Sequence, residues 1–152
     1  MELEEIDKKI LIYLLEDARC SYHKIAKKLN VTPATVMNRV RRLEKEGVIE
    51  AYHTRIDSSK IGLNVVSVIT LKAKPRMVEI LAEKLKKMKE IRGAMVVSGE
   101  IDIIAFVRFK TTEELYVFVK RLINLPEVES TKTYVAFDVI RNFKLTLPED
   151  FQ

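Results

Sequence analysis

The sequence is poor in features on which several classes of protein depend. Its 152 residues include one cysteine, Cys20, so no disulfide can form within the chain and a reducing cytoplasm is the expected location. No apolar run approaches the roughly 20 residues that a membrane-spanning helix needs. The acidic start, MELEEIDKK, has no apolar signal-peptide core. We therefore expect a protein that is neither exported nor inserted in a membrane.

Residues that carry catalysis or bind metals are also scarce. The two histidines, His23 and His53, have no cysteine or carboxylate at metal-ligand spacing, and Cys20 has no evident base beside it. The four glycines do not form a phosphate-binding loop. Only Glu100 and Asp102 offer carboxylates near a candidate pocket. We expect no metal, no cofactor and no enzyme.

Positive charge is abundant, and it is concentrated in one stretch. Between Arg19 and Lys45 there are eight Lys or Arg and one acid, Glu44, although the whole chain carries a net charge of only +5. A compact basic stretch of predicted helices is typical of a DNA-binding protein. The excess of Lys, Arg and Glu, with a single glutamine and no tryptophan, further indicates a thermophilic source.

Apolar spacing predicts three helices in the first 47 residues. The first covers residues 4–16, and the second starts after Ser21, which is its predicted N-cap. A short turn follows, and Thr32 caps a third helix with Pro33 at its first position. Gly47 ends that helix, and residues 48–54 are predicted to leave it as a strand.

The third helix has the pattern of a recognition helix. Its apolar positions share one face, which must pack on the other helices, and the opposite face is polar and basic at spacing i, i+3, i+4, i+7. A charged face that is merely solvated is the alternative. The helix–turn–helix order favours DNA, with base-reading candidates on this face and phosphate contacts around it. The predicted DNA-binding residues are Ser21, Tyr22, Lys27, Thr32, Thr35, Asn38, Arg39, Arg41, Arg42 and Lys45.

The second half of the sequence alternates strands and helices. Strands are predicted at 65–73, 94–98, 101–109 and 132–140, with helices at 76–90 and after the capping residue Thr111. The order β-α-β-β-α-β predicts a ferredoxin-like antiparallel sheet with both helices on one face. The fold class is therefore α+β, a winged helix-turn-helix followed by a ferredoxin-like βαββαβ domain.

The predicted sheet leaves one apolar face uncovered. Such a face calls for a partner, and a second copy of the chain is the simplest one. A homodimer would also place two helix-turn-helix units on a pseudo-palindromic site in double-stranded DNA. We expect a DNA-binding domain at 1–54, a linker at 55–63, the second domain at 64–140 and a tail at 141–152.

These segments resemble a known family. LEEIDKKIL, the stretch DARCSYHKIAKKLNVTPATVMNRVRRLEKEGVIEAY and the hairpin VSGEIDIIAFV are similar to the leucine-responsive regulator/AsnC, or feast/famine, transcription factors. The resemblance covers almost the whole chain. It implies a RAM-type second domain, homodimers that assemble to tetramers or octamers, and regulation by amino acids or related metabolites of a protein associated with the nucleoid.

The same resemblance implies an effector site around the second-half hairpin. The hairpin would bind the amine and carboxylate of the ligand, and the last strand of a neighbouring subunit would complete the site. Many relatives carry an Asp and an aromatic residue where this chain has Glu100 and Ile101. Lys120 and Arg121 further suggest that a cationic amino acid is disfavoured. The implied effector residues are Gly99, Glu100, Ile101, Asp102, Thr131, Thr133 and Tyr134.

Two alternatives remain open at the level of sequence. Gly99 is otherwise an ordinary hairpin turn, and Asp102 a solvated strand end. The whole chain could also be an architectural, chromatin-like DNA-binding protein that oligomerises without any effector. Weak sequence preference with a steep salt dependence would favour that second function.

Overall fold

The computed structural model describes residues 2–140, which form two compact units that divide between Arg55 and Ile56. The predicted tail, 141–152, lies outside the described residues. The first unit contains three helices and the second an antiparallel sheet with two helices. This confirms the predicted α+β class and, apart from the strand predicted at 48–54, the order of its elements.

The first unit is built from helices α1 (Glu5–Glu16), α2 (Tyr22–Leu29) and α3 (Pro33–Lys45). Their apolar stripes meet in one core, as the helical spacing predicts. At its centre Ile10, Ile25, Val36, Val40 and Leu43 are all completely buried. The back of α3 is therefore fixed against the other two helices.

Local capping sets the helix ends. The Ser21 side chain accepts the Lys24 N–H at 3.3 Å, and Thr32 accepts the Thr35 N–H at 3.1 Å, so both predicted N-caps are confirmed. Asn30 follows α2 with φ 54° and ψ 45°. Asn tolerates this left-handed conformation better than most residues, which allows the chain to turn sharply into α3.

The strand predicted at 48–54 is wrong for this chain. The N–H groups of Val48 and Ile49 both donate to the carbonyl of Leu43, at 2.9 and 3.1 Å, and so close the end of α3. Residues 50–57 are exposed and irregular, because the described part of this unit contains no strand with which they could pair. Tyr52 instead donates its hydroxyl to Glu44 at 2.9 Å.

The second unit starts with a short 3₁₀ helix, Ser59–Ile61, followed by strand β1 (Val65–Ala73). Helix α4 (Val78–Lys86), strands β2 (Ile91–Val96) and β3 (Ile103–Phe109), helix α5 (Thr112–Ile123) and strand β4 (Val128–Val135) complete it. The strand order is β2-β3-β1-β4, and all three pairings are antiparallel. The predicted βαββαβ order is thus confirmed.

Alternate residues of the sheet face the two helices. In β1 the side chains of Ser67, Ile69, Leu71 and Ala73 are buried, while those between them are partly or fully exposed. Leu81 and Leu85 of α4 pack on this side, and so do the buried residues of α5, which are Leu115, Phe118 and Leu122. The other side of the sheet carries no helix among residues 56–140.

Several element boundaries differ from the sequence prediction, among them the end of the fourth helix, at Lys86 rather than 90, and the start of β2, at Ile91 rather than 94. The fourth helix starts at Val78 rather than at 76, because Arg76 has φ 65° and cannot be helical. The β2–β3 strands are separated by a longer turn, covering residues 97–102. The last strand begins at Val128 and ends at Val135 instead of spanning 132–140. It pairs with β1 from Ala73 to Ser67, and the Ala136 N–H donates one further hydrogen bond to the Val66 carbonyl, at 2.8 Å.

Candidate DNA-binding surface and effector hairpin

The outer face of α3 is polar, and it is held in place by a completely buried back. Asn38, Arg41 and Lys45 are exposed on this helix, whereas Thr35 and Arg39 are half-buried. The Thr35 and Thr32 hydroxyl oxygens lie 2.8 Å apart, so the Thr35 side chain takes part in the cap. Asn38, Arg41 and Lys45 are therefore directly available to a ligand.

Arg39 and Arg42 are engaged with carboxylates at the start of α1. Arg39 Nη1 lies 2.5 Å from Glu4 Oε1 and 3.4 Å from Asp7 Oδ2. Arg42 Nη2 lies 2.5 Å from Asp7 Oδ2, and its Nη1 lies 3.5 Å from Glu4 Oε1. Both arginines were predicted to read bases, and the structure brings them together with two acids that the sequence prediction did not include.

Asp7 is a structural group. It is completely buried, and the same oxygen that meets the arginines also accepts the Glu4 backbone N–H at 3.0 Å. A buried carboxylate requires this kind of pairing, because desolvation of an unpaired charge is very costly. Asp7 thus joins the first turn of α1 to Arg42 of α3. The signal in the sequence is an acid, Asp7, at helical spacing with the apolar residues of α1, where a charge requires a partner.

The ion pair between Arg39 and Glu4 shifts the pKa of both groups. The hydrogen bond from Arg39 holds the pKa of Glu4 below its ordinary value, and the same contact raises the pKa of Arg39. Burial, followed by the hydrogen bond to Glu44, raises the pKa of Tyr52. Glu4 therefore remains charged at neutral pH.

The remaining predicted DNA contacts surround α3. Ser21 is exposed and caps α2, Tyr22 is half-buried against the helical core, and Lys27 is exposed. Lys28 lies over the Tyr13 ring at 4.4 Å, which positions its ammonium at the surface of α2. These groups suit phosphate contacts, which orient a protein without reading sequence.

In the second unit, the β2–β3 turn is shaped by glycine and held by aspartate. Gly99 has φ 124°, a conformation that residues with a Cβ rarely adopt. Asp102 Oδ2 accepts the Ala73 N–H at 2.8 Å, and the Asp102 N–H donates to the Leu71 carbonyl at 3.0 Å. Asp102 is therefore not simply a solvated strand end, because it ties the turn to the end of β1.

The other proposed effector residues lie in two elements, the β2–β3 turn and strand β4. Those on β4 are divided between the two faces of the sheet. Glu100 is exposed and Ile101 half-buried in the turn. Thr131 pairs with Leu71, beside the Asp102 contact, and Thr133 pairs with Ile69 on the helix-covered face. Tyr134 pairs with Val68 and is 55% exposed on the opposite face. A single chain thus brings Thr131 near the turn but does not bring Tyr134 there.

An open groove of about 520 Å³ lies on the helical side of the second unit. Phe109, Val117 and Phe118 give it apolar walls, and the Arg121–Glu90 ion pair, at 2.7 Å, lies at its rim. Among residues 2–140 no group of three or more His, Cys, Asp or Glu side chains is arranged to hold a metal ion. Nor does any helix in that range have the length and apolar character needed to cross a membrane.

Two family profiles match the chain. Residues 3–50 match winged helix-turn-helix DNA-binding domains, and residues 65–145 match the Lrp/AsnC ligand binding domain. Each match coincides with one of the two halves that were interpreted from sequence as separate modules.

Full-length relatives are similar throughout. An uncharacterized HTH-type transcriptional regulator of Pyrococcus furiosus is 36% identical over 146 residues, which cover 95% of this chain and 99% of the relative. The HTH-type transcriptional regulator Ptr1 of Methanocaldococcus jannaschii is 35% identical, covering 93% of this chain and 95% of the relative. These sources agree with a thermophilic composition.

Solved structures show the same fold at lower identity. AsnC of Escherichia coli superposes with a TM-score of 0.87 at 22% identity, covering 95% of this chain and 99% of that one. A transcriptional regulator of Neisseria meningitidis, solved as a complex with L-Met, superposes with a TM-score of 0.89 at 20% identity, covering 97% of each chain. With both domain profiles and relatives that match over almost their full length, the chain belongs to the Lrp/AsnC family of transcriptional regulators.

Proposed function

We propose that this protein is a sequence-specific DNA-binding regulator whose assembly or DNA occupancy responds to an amino acid or a related small metabolite. The observation that carries the DNA part is the geometry of α3. Its back is completely buried at Val36, Val40 and Leu43, and its front presents Asn38 and Arg41. This arrangement suits insertion into the major groove of DNA.

The roles of the predicted contacts follow from their positions. Asn38 and Thr35 would read base edges, and Arg39 would do so after leaving Glu4. Arg41, Lys45 and Lys27 are exposed cations suited to phosphates. Arg42 is proposed to position α3 through Asp7, because its Nη2 is 2.5 Å from a completely buried carboxylate.

The open face of the sheet supports a homodimer. Met95 and Tyr134 are 48% and 55% exposed there, beside the half-buried Val68, Ile104 and Phe106. Pairing two such faces would remove this apolar surface from water and create a symmetric interface. A dimer would carry two copies of α3, as a pseudo-palindromic site requires. Tetramers or octamers would place a second dimer beside the β2–β3 turn.

The turn at Gly99 supports an effector site. Backbone N–H groups around a glycine turn suit a carboxylate, and Asp102 Oδ1, the oxygen not bonded to Ala73, suits an ammonium. The L-Met complex of the Neisseria meningitidis regulator shows that one protein of this fold binds an amino acid. Thr131, Thr133 and Tyr134 of a neighbouring subunit would complete the site. Because β4 is an edge strand, they are available to an approaching chain.

A thermal-shift screen of the twenty amino acids, followed by light scattering of any hit, tests the effector proposal. We expect one or a few amino acids to raise the melting temperature and to alter the oligomer or its affinity for DNA. Lysine and arginine are expected to be weak, given Lys120 and Arg121. A matched Asp102→Asn variant should lose the response. A response that persists in this variant would contradict the proposed role of Asp102.

An architectural, effector-independent DNA-binding protein is the second candidate function. The exposed cations around α3 favour it, because non-specific binding depends mainly on charge neutralisation at phosphates. Selection of binding sites from a random duplex library distinguishes the two. A defined pseudo-palindrome supports the specific regulator. A lack of any preferred sequence, with a flat amino-acid screen, supports the architectural protein.

A further inference from the structure

Two half-buried arginines of α3, Arg39 and Arg42, share one exposed acid, Glu4, at the start of α1. Its Oε1 atom lies 2.5 Å from Arg39 Nη1 and 3.5 Å from Arg42 Nη1. Under the proposed function, α3 faces DNA, so a carboxylate already occupies the guanidinium that would otherwise meet a phosphate or a base. The charge on Glu4 is of the same sign as that of DNA.

The second acid, Asp7, cannot act in the same way. It is completely buried, and its Oδ2 accepts from the Glu4 backbone as well as from both arginines. Removing Arg42 from Asp7 would leave the buried carboxylate with Arg39, at 3.4 Å, as its remaining cation, which is unfavourable. Arg42 is therefore a fixed contact of the folded unit.

Glu4 is different because its side chain is 54% exposed. Ion pairs in contact with water are weak, so Arg39 can exchange this carboxylate for another acceptor at little cost. Arg39 keeps a second contact to Asp7 at 3.4 Å, which holds its side chain near the same position. The ion pair between Arg39 and Glu4 can thus open, whereas the neighbouring ion pair between Arg42 and Asp7 stays closed.

We propose that Glu4 competes with DNA for Arg39 and thereby lowers the affinity of α3 for DNA. A guanine offers two acceptors that match the guanidinium fork, and this pair can displace Glu4. At a site without such a base, only a single phosphate contact would be gained, and Arg39 stays with Glu4. The carboxylate therefore lowers the affinity for both kinds of site. It keeps Arg39 from a phosphate at a non-specific site, and the cost of separating Arg39 from Glu4 is paid at a specific site. This inference rests on the proposed DNA-binding function of α3.

The test compares Glu4→Gln with Glu5→Gln. Glu5 is also exposed in the first turn of α1, but it pairs with Lys8 at 2.9 Å instead of with α3. Both variants lose one negative charge. Binding is measured to the best duplex that the wild-type chain selects from a random library, and to a scrambled duplex of the same composition, across a range of salt concentrations.

We expect Glu4→Gln to bind both duplexes roughly two- to fivefold more tightly than the wild type does, a larger gain than Glu5→Gln gives. The gain on the selected duplex should be at least as large as that on the scrambled one, because Arg39 no longer has to leave a carboxylate. The salt dependence of this variant on the scrambled duplex should become steeper by about 0.9, because Arg39 then neutralises one additional phosphate. Glu5→Gln should change binding to both duplexes equally and should leave the salt slope unaltered.

A double-mutant cycle shows whether Glu4 acts through Arg39. In the Arg39→Ala background, Glu4→Gln should no longer change binding to the scrambled duplex beyond the effect of Glu5→Gln. Equal effects of the two glutamine variants, or a Glu4→Gln effect that persists without Arg39, would overturn this inference alone. A wild-type chain that binds neither duplex would overturn the proposed DNA-binding function as well.

Discussion

At the scale of single residues, Arg41 and Arg42 are neighbours in α3 with different surroundings. Arg41 is exposed, whereas Arg42 contacts the completely buried Asp7. We expect Arg42→Ala to destabilise the first unit by about 2 kcal/mol, less than the loss of a fully buried partner, because Arg39 stays near Asp7. Arg41→Ala should change stability by less than about 0.5 kcal/mol. Hydrogen exchange of the α1 and α3 amides measures the change in unfolding free energy for both variants.

Arg41→Ala is the matched control for charge and helix propensity, since it removes the same side chain from the adjacent position. Equal protection of α3 amides in the two variants would contradict a structural role for Arg42. The prediction placed both arginines opposite the apolar stripe of α3. Arg39 instead borders the buried Val36 and Val40 at helical spacing and is half-buried. The acidic partners of the two arginines are 32 to 38 residues away. Local patterns contain no information on such pairs, so their ion pairs were not predicted.

The ion pair between Lys84 and Glu127 should make the stability of the second unit depend on pH. Lys84 Nζ donates to its carboxylate at 2.7 Å and holds the pKa of Glu127 below its ordinary value of 4.5. A depressed pKa in the folded state means that the stabilisation is present above the ordinary value and is lost as the pH falls through the folded-state value. We therefore expect the melting temperature to fall between neutral pH and pH 3, partly through this group.

The Lys84→Met variant isolates that contribution, because it keeps an unbranched apolar stem and removes the ammonium. Its melting temperature should be lower than that of the wild type at neutral pH, and the difference should shrink as Glu127 is protonated in both. A difference that stays constant from pH 7 to pH 3 would show that the pair does not stabilise the fold through charge.

At the scale of elements, the β2–β3 turn depends on one glycine. Gly99 has φ 124°, whereas Gly93 in β2 has an ordinary conformation with only the Phe106 side chain near, at 3.8 Å from an added Cβ. Gly99→Ala should destabilise the second unit by roughly 1–3 kcal/mol through backbone strain. Gly93→Ala, the matched control, should be tolerated. Urea unfolding of both variants measures the difference, and similar losses would contradict the strain argument.

The sequence predicted elements well where the stabilising pattern is local. The bounds of β1, Val65–Ala73, agree with the prediction because alternating burial extends over the whole strand. Residues 48–54 have strand-like composition, but a strand needs a neighbour, and Val48 and Ile49 bond to Leu43 instead. The last strand, Val128–Val135, was misplaced because its ends are set by its register with β1.

At the scale of the whole molecule, the open sheet face should control assembly. Met95 is 48% exposed on that face, so Met95→Lys should leave the monomer folded and weaken the proposed dimer by placing charge in an apolar interface. Val117→Lys is the matched control, because Val117 is 67% exposed on the helical side of the same unit. Analytical ultracentrifugation over a concentration series should show dissociation only for Met95→Lys.

A Met95→Lys protein that remains fully dimeric would exclude the open sheet face as the dimer interface. Loss of the dimer in Val117→Lys would instead place that interface on the helices. The sequence predicts that the uncovered apolar face of the sheet is the dimer surface, but only the strand register shows that Met95 and Tyr134 share that face.

The bond between Asp102 and Ala73 has one more consequence. Ala73 is the last residue of β1, and its N–H donates to the Asp102 carboxylate, not to a backbone carbonyl. A ligand that draws Asp102 away would leave this amide open to solvent deuterium, while an ammonium that binds only Oδ1 would leave it shielded. The Ala73 amide is thus a native reporter of how the turn is occupied, and NMR can follow it without any added label on the ligand.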